Sequence, residues 1–321
     1  MTQKKLLITR HIAEPVIEQA RARFDTVVRE SGDGMDEAEV LAALTAYDAI
    51  LPTLGDRFTA ETFARAGAGL RCKVLGNFGV GYNHIDAAAA AAHGVVVTNT
   101  PDVLTDATAD IGWTLILATA RRAGEGERMV RAGQWGGFGP KSMLGTHVTG
   151  KTLGIVGMGR IGQAVARRGH FGFGMDVVFY NRSAKQTDFP ARQLASLNDV
   201  MSAADFVVVT TPGGKETTGL IGADALAAMK PSGIFVNISR GEVVDEPALI
   251  SALAEGRIAG AGLDVYEKEP HVPEALRALE NCVLLPHLGS ATVETRQAMG
   301  QMALDNIIAW DEGRDPPQRV N

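Results

Sequence analysis

The sequence is poor in several features that would mark a particular class of protein. Only two cysteines, Cys72 and Cys282, occur in 321 residues, too few for a disulfide framework. No apolar run approaches the roughly 18 residues that a membrane span needs, and the first segment, MTQKKLLITR, lacks the apolar core of a signal peptide. Lysine and arginine (31) are fewer than aspartate and glutamate (37), whereas nucleic-acid binding typically needs a basic excess. These absences favour a cytoplasmic protein without membrane or nucleic-acid partners.

What the chain does contain indicates an α/β protein with two domains. The chain is longer than the chains that usually fold around a single hydrophobic core. Hydrophobic residues make up 45% of the chain, a normal share for a globular protein. Short β-branched segments alternate with alanine-rich helical segments throughout. This alternation is typical of repeated βα units around parallel sheets.

Four segments in the first hundred residues predict strands, at 6–9, 48–52, 73–77 and 94–98. Helices are predicted near 15–24, 37–44, 60–66 and 85–92. A long apolar helix is predicted over 103–122, and a second long helix after residue 290 is expected to return to the first domain. The predicted domains are therefore 1–101 with 289–321, which would bind substrate, and 102–288, which would bind a dinucleotide.

The segment GKTLGIVGMGRIGQAVARR contains a glycine pattern of the dinucleotide-binding type, placed between an apolar strand and a helix. Gly157 would make the tight turn, Gly159 would let a pyrophosphate approach the backbone, and Gly162 would allow close contact between helix and strand. The helix N-terminus would supply amide donors to the phosphates. Met158, Arg160 and Ile161 complete the predicted cofactor loop.

The end of the next strand predicts which nicotinamide cofactor is used. An NAD site places Asp or Glu there, to accept a hydrogen bond from the ribose 2′-hydroxyl. This chain has Asn181, Arg182 and Ser183 instead, and a guanidinium can bind a 2′-phosphate. The pattern favours NADP(H) and leaves NAD(H) as the alternative.

Three residues suited to anion and proton chemistry follow predicted strands in the second half of the chain. Arg240 follows GIFVNIS, Glu269 lies in DVYEKEP, and His287 follows CVLLP. Ligands of open α/β sheets bind at the carboxyl ends of strands. An arginine binds a carboxylate, an imidazole protonates a developing alkoxide, and a carboxylate can fix the imidazole tautomer. Taken alone, Arg240 is better explained as a surface arginine in a turn, His287 as a structural histidine and Glu269 as an exposed loop carboxylate. Together they predict reduction of a carbonyl beside a carboxylate.

With these motifs in place, the chain resembles the D-isomer-specific 2-hydroxyacid dehydrogenases, most closely their glyoxylate/hydroxypyruvate reductase branch. The motifs that carry the resemblance occur in the family's order over nearly the whole chain: NFGVGYNHID, LTDATADIGW, GKTLGIVGMGRIGQAVARR, NISRGEVVDEPAL, GLDVYEKEP and LLPHLGSAT. The resemblance implies a flavodoxin-like substrate domain and a Rossmann nucleotide domain with a cleft between them. It also implies reduction of glyoxylate or hydroxypyruvate to glycolate or D-glycerate.

The resemblance assigns a role to individual residues. His287 would donate the proton, Glu269 would be its partner, and Arg240 would hold the substrate carboxylate and keto oxygen. The amides of Val80 and Gly81 would bind the carboxylate, and Leu54 would close the small side of the pocket. The residues implied to line the cofactor, besides the loop and turn above, are Thr108, Thr211, Pro212, Ile238, Ser239, Asp264 (at the nicotinamide carboxamide) and Gly289.

Alternatives remain open at this point. A larger 2-oxo acid such as 2-ketogluconate would also suit the motifs, because family members can carry a pocket-lining aromatic residue where this chain has Ser142 and Met143. Relatives of another class are cofactor-sensing co-repressors, which are marked by added interaction segments. A homodimer is expected from the apolar surface of the helix at 103–122.

Overall fold

The computed structural model describes residues 3–321, which form two compact units. Of these residues, those up to Leu104 form the first unit together with Ala291–Asn321, and Thr105–Ser290 form the second. Each unit is an α/β structure with one parallel sheet. The predicted α/β fold with two βα domains is thereby confirmed.

The first unit contains a five-stranded parallel sheet in the order β2-β1-β3-β4-β5, which is the flavodoxin-like order. Its strands are β1 (Lys5–Ile8), β2 (Asp25–Val28), β3 (Ala49–Leu51), β4 (Val74–Gly76) and β5 (Val96–Thr98). The intervening helices are α1 (Glu14–Arg23), α2 (Glu37–Ala46), α3 (Ala60–Ala66) and α4 (Ala87–Ala92). Side chains that accept amide hydrogen bonds begin three of these helices: Asp36, Thr59 and Asp86.

The second unit contains a seven-stranded parallel sheet in the order β12-β11-β10-β9-β6-β7-β8, the Rossmann arrangement with one added strand. Its strands are β6 (Thr152–Val156), β7 (Asp176–Tyr180), β8 (Arg192–Gln193), β9 (Phe206–Val209), β10 (Ile234–Asn237), β11 (Gly260–Leu263) and β12 (Cys282–Leu284). Its helices are α5 (Thr105–Ala120), α6 (Ala123–Arg131), α7 (Arg160–Phe173), α8 (Leu197–Ala203), α9 (Ala223–Ala227), α10 (Glu246–Ala254) and α11 (Glu274–Arg277).

The last helix, α12 (Val293–Asp311), packs on the sheet of the first unit. A side chain at Gly76 in β4 would meet Ile307 Cδ1 at 2.7 Å, so the strand and the helix touch through a glycine. The carboxyl end of the helix is held by Asp311, which pairs with Lys4 at 2.9 Å and with Arg23 at 3.0 Å. The tail of the chain is thus part of the first unit's core.

Helix α5 packs against α7 in the second unit. The Trp113 indole stacks on Phe173 with 4.3 Å between ring centroids, and its Nε1 donates to the Val165 carbonyl at 3.0 Å. The helix predicted over 103–122 is shorter than expected, because Arg122 adopts a left-handed backbone (φ 54) and α6 begins directly after it. Within residues 3–321, none of the helices combines the length and apolarity that crossing a bilayer requires.

Two strands were missed by the sequence analysis, and both lie at sheet edges. Strand β2 alternates between exposed and half-buried residues, so it lacks the continuous apolar run of a central parallel strand. Strand β8 has only two residues, both exposed. Neither has a pattern that stands out from a loop.

Candidate active site

The glycine loop joins β6 to α7 with the close packing that the glycine pattern predicts. A side chain at Gly157 (φ 98) would meet Thr211 at 2.9 Å, and one at Gly162 would collide with the Gly157 carbonyl oxygen. At Gly159, the N-cap of α7, an added Cβ would have open space around it. The loop is therefore packed against the protein at Gly157 and Gly162 and open at Gly159, beside the amides that begin the helix.

Thr211 adds an independent sign that this loop accepts a polar ligand. Its hydroxyl oxygen is buried and, among the residues that the structure describes, finds no hydrogen-bond partner. A buried polar group without a partner costs free energy unless a ligand or water supplies one. The open loop and this hydroxyl fit a dinucleotide at the β6–α7 junction.

The turn after β7 carries the residues predicted to select the cofactor. Asn181 Oδ1 accepts from the Met158 amide at 3.2 Å, and Asn181 Nδ2 donates to the carbonyl oxygen of Ser183 at 2.9 Å. Both ends of the Asn181 amide are thus used within the protein. The exposed Arg182 guanidinium forms an ion pair with Glu216, which the sequence analysis did not single out.

Arg240 follows β10 and is held next to the glycines after β9. Its Nη1 donates to the Ser239 carbonyl at 2.7 Å, and a side chain at Gly213 would meet Arg240 Cγ at 2.8 Å. Burial lowers the pKa of the guanidinium, and the carboxylates of Glu269 and Glu242 oppose that effect. Arginine still remains protonated at any working pH, so a fixed cation lies here.

Glu269 and His287 meet in the way that the sequence analysis expected. The Glu269 Oε2 atom lies 2.8 Å from His287 Nδ1, and Oε1 accepts from the Tyr266 amide at 3.1 Å. A carboxylate on Nδ1 keeps the proton on that nitrogen, and Nε2 lies on the opposite side of the ring. Burial raises the pKa of Glu269, but the His287 contact, the Tyr266 amide and the charge of Arg240 outweigh it and leave the pKa below its usual value.

The backbone of His287 is left-handed (φ 55), and Asp264 holds it there. The His287 amide donates to the Asp264 carbonyl at 2.9 Å, while the Leu288 and Gly289 amides donate to the Asp264 carboxylate at 2.6 and 2.8 Å. Burial raises the pKa of Asp264, and the two amides and the His287 ring offset this only in part. Asp264 therefore sets the conformation of the turn that carries the imidazole.

A glycine that the sequence analysis did not discuss brings the Arg240 and Glu269 loops together. A side chain at Gly241 would collide with the Tyr266 carbonyl carbon and the Glu267 nitrogen. The backbones of the two loops are therefore in direct contact. The signal in the sequence was only the glycine after Arg240, which any turn could explain.

The other predicted cofactor residues of the second unit divide into two groups. Thr108 lies beside Gly289, since a side chain at Gly289 would meet Thr108 Cγ2 at 3.4 Å. The side chains of Met158 and Ile238 are buried in the core. Ser239 Oγ donates to Asn237 at 2.8 Å, and the Pro212 carbonyl accepts from Thr217 at 2.7 Å. These four residues shape the loops chiefly through internal contacts.

In the first unit, the loop after β4 has its carbonyl groups bound by two asparagines. Asn77 Nδ2 donates to the Gly79 carbonyl at 3.0 Å, and Asn99 Nδ2 donates to the Val80 carbonyl at 2.9 Å. In a trans peptide the N–H points opposite to the C=O, so the amides of Val80 and Gly81 point away from these asparagines. The loop thus has two consecutive amide donors, Val80 N–H and Gly81 N–H, that these asparagines do not occupy.

Leu54 belongs to a second loop of the first unit, and its position is also fixed. Its side chain is 38% exposed for a leucine, and its carbonyl accepts from Arg10 Nη1 at 2.7 Å. The Asp56 carboxylate, which is fully buried, accepts from Thr9 at 2.6 Å and from the Thr53 amide at 2.9 Å. Leu54 is therefore an apolar side chain on a rigid turn.

Comparison with known families gives one match that covers more than half of the chain. The sequence pattern of the "D-isomer specific 2-hydroxyacid dehydrogenase, NAD binding domain" matches residues 113–289. This range contains the glycine loop, Arg240, Glu269 and His287. The match therefore coincides with the site described above.

Individual relatives extend the similarity over the full length. A glyoxylate reductase from Thermococcus kodakarensis is 46% identical over 99% of this chain and 96% of its own. The TT0316 protein from Thermus thermophilus superposes with a TM-score of 0.91 at 41% identity, covering 99% of this chain and 100% of its own. An NADPH-dependent glyoxylate/hydroxypyruvate reductase from Sinorhizobium meliloti, solved with NADP and malonate, superposes with a TM-score of 0.88 at 37% identity, covering 99% and 97%.

Proposed function

Because this chain belongs to the D-isomer-specific 2-hydroxyacid dehydrogenase family, we propose that it reduces glyoxylate and hydroxypyruvate to glycolate and D-glycerate. It is an NAD(P)-dependent oxidoreductase of the glyoxylate reductase branch, which acts on small 2-oxo acids. The observation that carries the proposal is the Glu269–His287 pair, with 2.8 Å between Oε2 and Nδ1, in a loop cluster with Arg240.

The second unit holds the cofactor in this proposal. When bound, NADPH or NADH supplies the hydride that reduces the C2 carbonyl. The amides at the start of α7 would bind the pyrophosphate, and Thr211 would donate or accept one hydrogen bond. Thr108, Asp264 and Gly289 would lie at the nicotinamide end. NADP(H) is preferred over NAD(H), because Arg182 and Ser183 stand where an acidic residue would repel a 2′-phosphate.

The substrate is bound through its carboxylate. The two donors of the loop after β4, Val80 N–H and Gly81 N–H, would bind one face of the anion. Arg240 would bind the carboxylate and the keto oxygen, since a guanidinium forms paired hydrogen bonds with planar anions. Leu54 would limit the size of the group at C3.

His287 supplies the proton. Its Nε2–H donates to the keto oxygen as that oxygen gains negative charge, and the ring is left neutral with its remaining proton on Nδ1. Glu269 accepts from that Nδ1–H throughout and stabilises the ring while it is cationic. Asp264 accepts hydrogen bonds from the Leu288 and Gly289 amides. These bonds hold the backbone of the turn that carries His287, so that Nε2 keeps one orientation.

Initial rates with four 2-oxo acids and both cofactors test this function. We expect kcat/KM for glyoxylate and hydroxypyruvate to exceed that for pyruvate and 2-ketogluconate. We expect kcat/KM for NADPH to exceed kcat/KM for NADH by about tenfold or more, because one hydrogen bond to a charged group is worth about 1.5–3 kcal/mol. Absence of turnover with all four acids would overturn the enzymatic proposal, and a preference for NADH would overturn the cofactor assignment alone.

We also propose that the protein is a homodimer. The apolar side chains of α5 are mostly used inside the second unit, so that helix does not supply the interface. Four large apolar side chains in the segment that follows α5 are exposed: Val130 (60%), Trp135 (63%), Phe138 (91%) and Leu144 (65%). Exposed apolar side chains favour a contact surface, and a second copy carries the same segment, as a two-fold interface requires.

Sedimentation velocity at micromolar concentration checks this assembly. We expect a species of twice the 33.9 kDa chain mass, and we expect the double variant Phe138→Asp, Leu144→Asp to sediment as a monomer with unchanged circular dichroism. A wild-type monomer would overturn the proposal. A variant that stays dimeric would place the interface elsewhere.

A cytoplasmic location completes the proposal. Cys72 and Cys282 are both free thiols, and burial raises the pKa of Cys72 to about 12. Free cysteines are typical of reducing compartments.

A further inference from the structure

Strand β8 lies at the edge of the second unit's sheet, next to the turn Asn181–Lys185 that follows β7, which we call the cofactor turn. It pairs in parallel with β7, with Gln193 opposite Phe179, and the Leu194 amide donates to the Phe179 carbonyl at 2.9 Å. This pairing places the Gln193 side chain next to the chain that leaves β7. The proposed function gives β8 no role.

Gln193 makes three hydrogen bonds to the backbone of this turn. Its Nε2 donates to the carbonyl oxygens of Asn181 at 2.9 Å and Ser183 at 3.2 Å, and its Oε1 accepts from the Lys185 amide at 3.2 Å. A glutamine amide has both donors and acceptors, and here both kinds are directed at alternate residues of one five-residue segment. A side chain placed by chance on the surface would seldom be used so fully.

The turn is in addition tied to the glycine loop. Asn181 accepts from the Met158 amide and donates to both the carbonyl and the hydroxyl oxygen of Ser183, at 2.9 and 3.2 Å. Gln193 and Asn181 therefore share the Ser183 carbonyl as acceptor. Through these bonds, the geometry of the turn is linked to the loop that would bind the pyrophosphate.

This support is needed because the turn is exposed. Residues 182–186 are all exposed, and a free polar segment would have to be ordered each time a ligand binds. Arg182 also has a competing partner in Glu216. Ion pairs at the surface are weak, so Arg182 can exchange Glu216 for a phosphate if its backbone already holds the right position.

We propose that Gln193 is a positioning residue for cofactor selection: it holds the Asn181–Lys185 turn in the conformation in which Arg182 and Ser183 bind the 2′-phosphate of the cofactor's adenosine. This inference rests on the NADP(H) preference proposed above. Gln193 itself touches neither phosphate nor substrate. It acts on affinity for the 2′-phosphate and leaves the chemistry at His287 unchanged.

Calorimetric titration of the full-length protein with 2′,5′-ADP and with 5′-AMP tests the proposal, since the two ligands differ in the 2′-phosphate. For Gln193→Ala and for the similarly sized Gln193→Met we expect Kd for 2′,5′-ADP to rise about tenfold, the effect of losing roughly one net hydrogen bond at the ligand turn. Kd for 5′-AMP should change less than about twofold, and KM for NADPH should rise while kcat stays constant. Gln186→Ala, an exposed glutamine of the same loop, is the matched control and should behave as wild type.

Arg182→Ala tests the NADP(H) preference separately from the role of Gln193. If Arg182→Ala weakens the binding of 2′,5′-ADP and both Gln193 variants bind this ligand as wild type does, the role of Gln193 is overturned and the NADP(H) preference stands. If Arg182→Ala itself leaves 2′,5′-ADP binding unchanged, the cofactor preference is overturned. Equal weakening of 5′-AMP and 2′,5′-ADP by Gln193→Met would make Gln193 a general structural residue and would also overturn the inference. Melting temperatures within a few degrees of wild type show that the variants are folded.

Discussion

Replacement of His287 by alanine is expected to lower kcat for glyoxylate by about 10²–10⁴-fold, the usual contribution of a general acid. The imidazole is the group whose Nε2 can donate to the keto oxygen, because Nδ1 is held by Glu269 at 2.8 Å. The dissociation constant of NADPH, followed by its fluorescence, should stay within about threefold, since a general acid contributes to the transition state and little to cofactor binding. Steady-state rates and fluorescence titration measure the two quantities.

The backbone at His287 requires a second variant. Its φ of 55 is a conformation that asparagine tolerates and alanine adopts at a cost of about 1–2 kcal/mol. His287→Asn keeps the backbone and removes the acid, so it should lose kcat as fully as His287→Ala. His147→Ala, an exposed histidine of the same unit, should retain wild-type rates. Near-normal turnover in His287→Asn would contradict the proton-donor role.

Replacement of Arg240 by alanine is expected to lower kcat/KM for glyoxylate by about 10³-fold. Two hydrogen bonds to charged groups, at about 2 kcal/mol each, correspond to roughly this factor. The effect should appear in both KM and kcat, because the guanidinium would bind the carboxylate in the ground state and the keto oxygen in the transition state.

Arg240→Lys distinguishes charge from shape. An ammonium keeps the charge but loses the planar pair of donors, so we expect a loss between those of wild type and Arg240→Ala. Arg257→Ala, at the end of α10 where Arg257 pairs with Glu255 at 2.9 Å, removes an arginine of the same unit and should leave kcat/KM unchanged. If kcat/KM for glyoxylate falls no further in Arg240→Ala than in Arg257→Ala, Arg240 does not bind the substrate.

Much of the fold could be predicted because its signals are local. The central strands are continuous apolar segments buried on both faces, such as β9 and β10, and the glycine spacing around Gly159 lies within one βα unit. Arg240 and His287 could be proposed as site residues because each lies three residues after the end of a predicted strand, where ligands of parallel sheets bind. Two of the four edge strands could not be predicted, because β2 is half-exposed and β8 is only two residues long.

The amino-acid sequence by itself determined the two parallel sheets, the glycine loop and the candidate chemistry of Arg240, Glu269 and His287, because periodicity, spacing and side-chain type are properties of short segments. Only the tertiary structure decided how these groups are held. It directs both oxygens of Asp264 to the turn of His287, presses Gly241 against Tyr266 and directs Gln193 to the cofactor turn. Each of these contacts joins residues at least 8 positions apart in the chain, and a contact between separate segments leaves no periodic trace in either one.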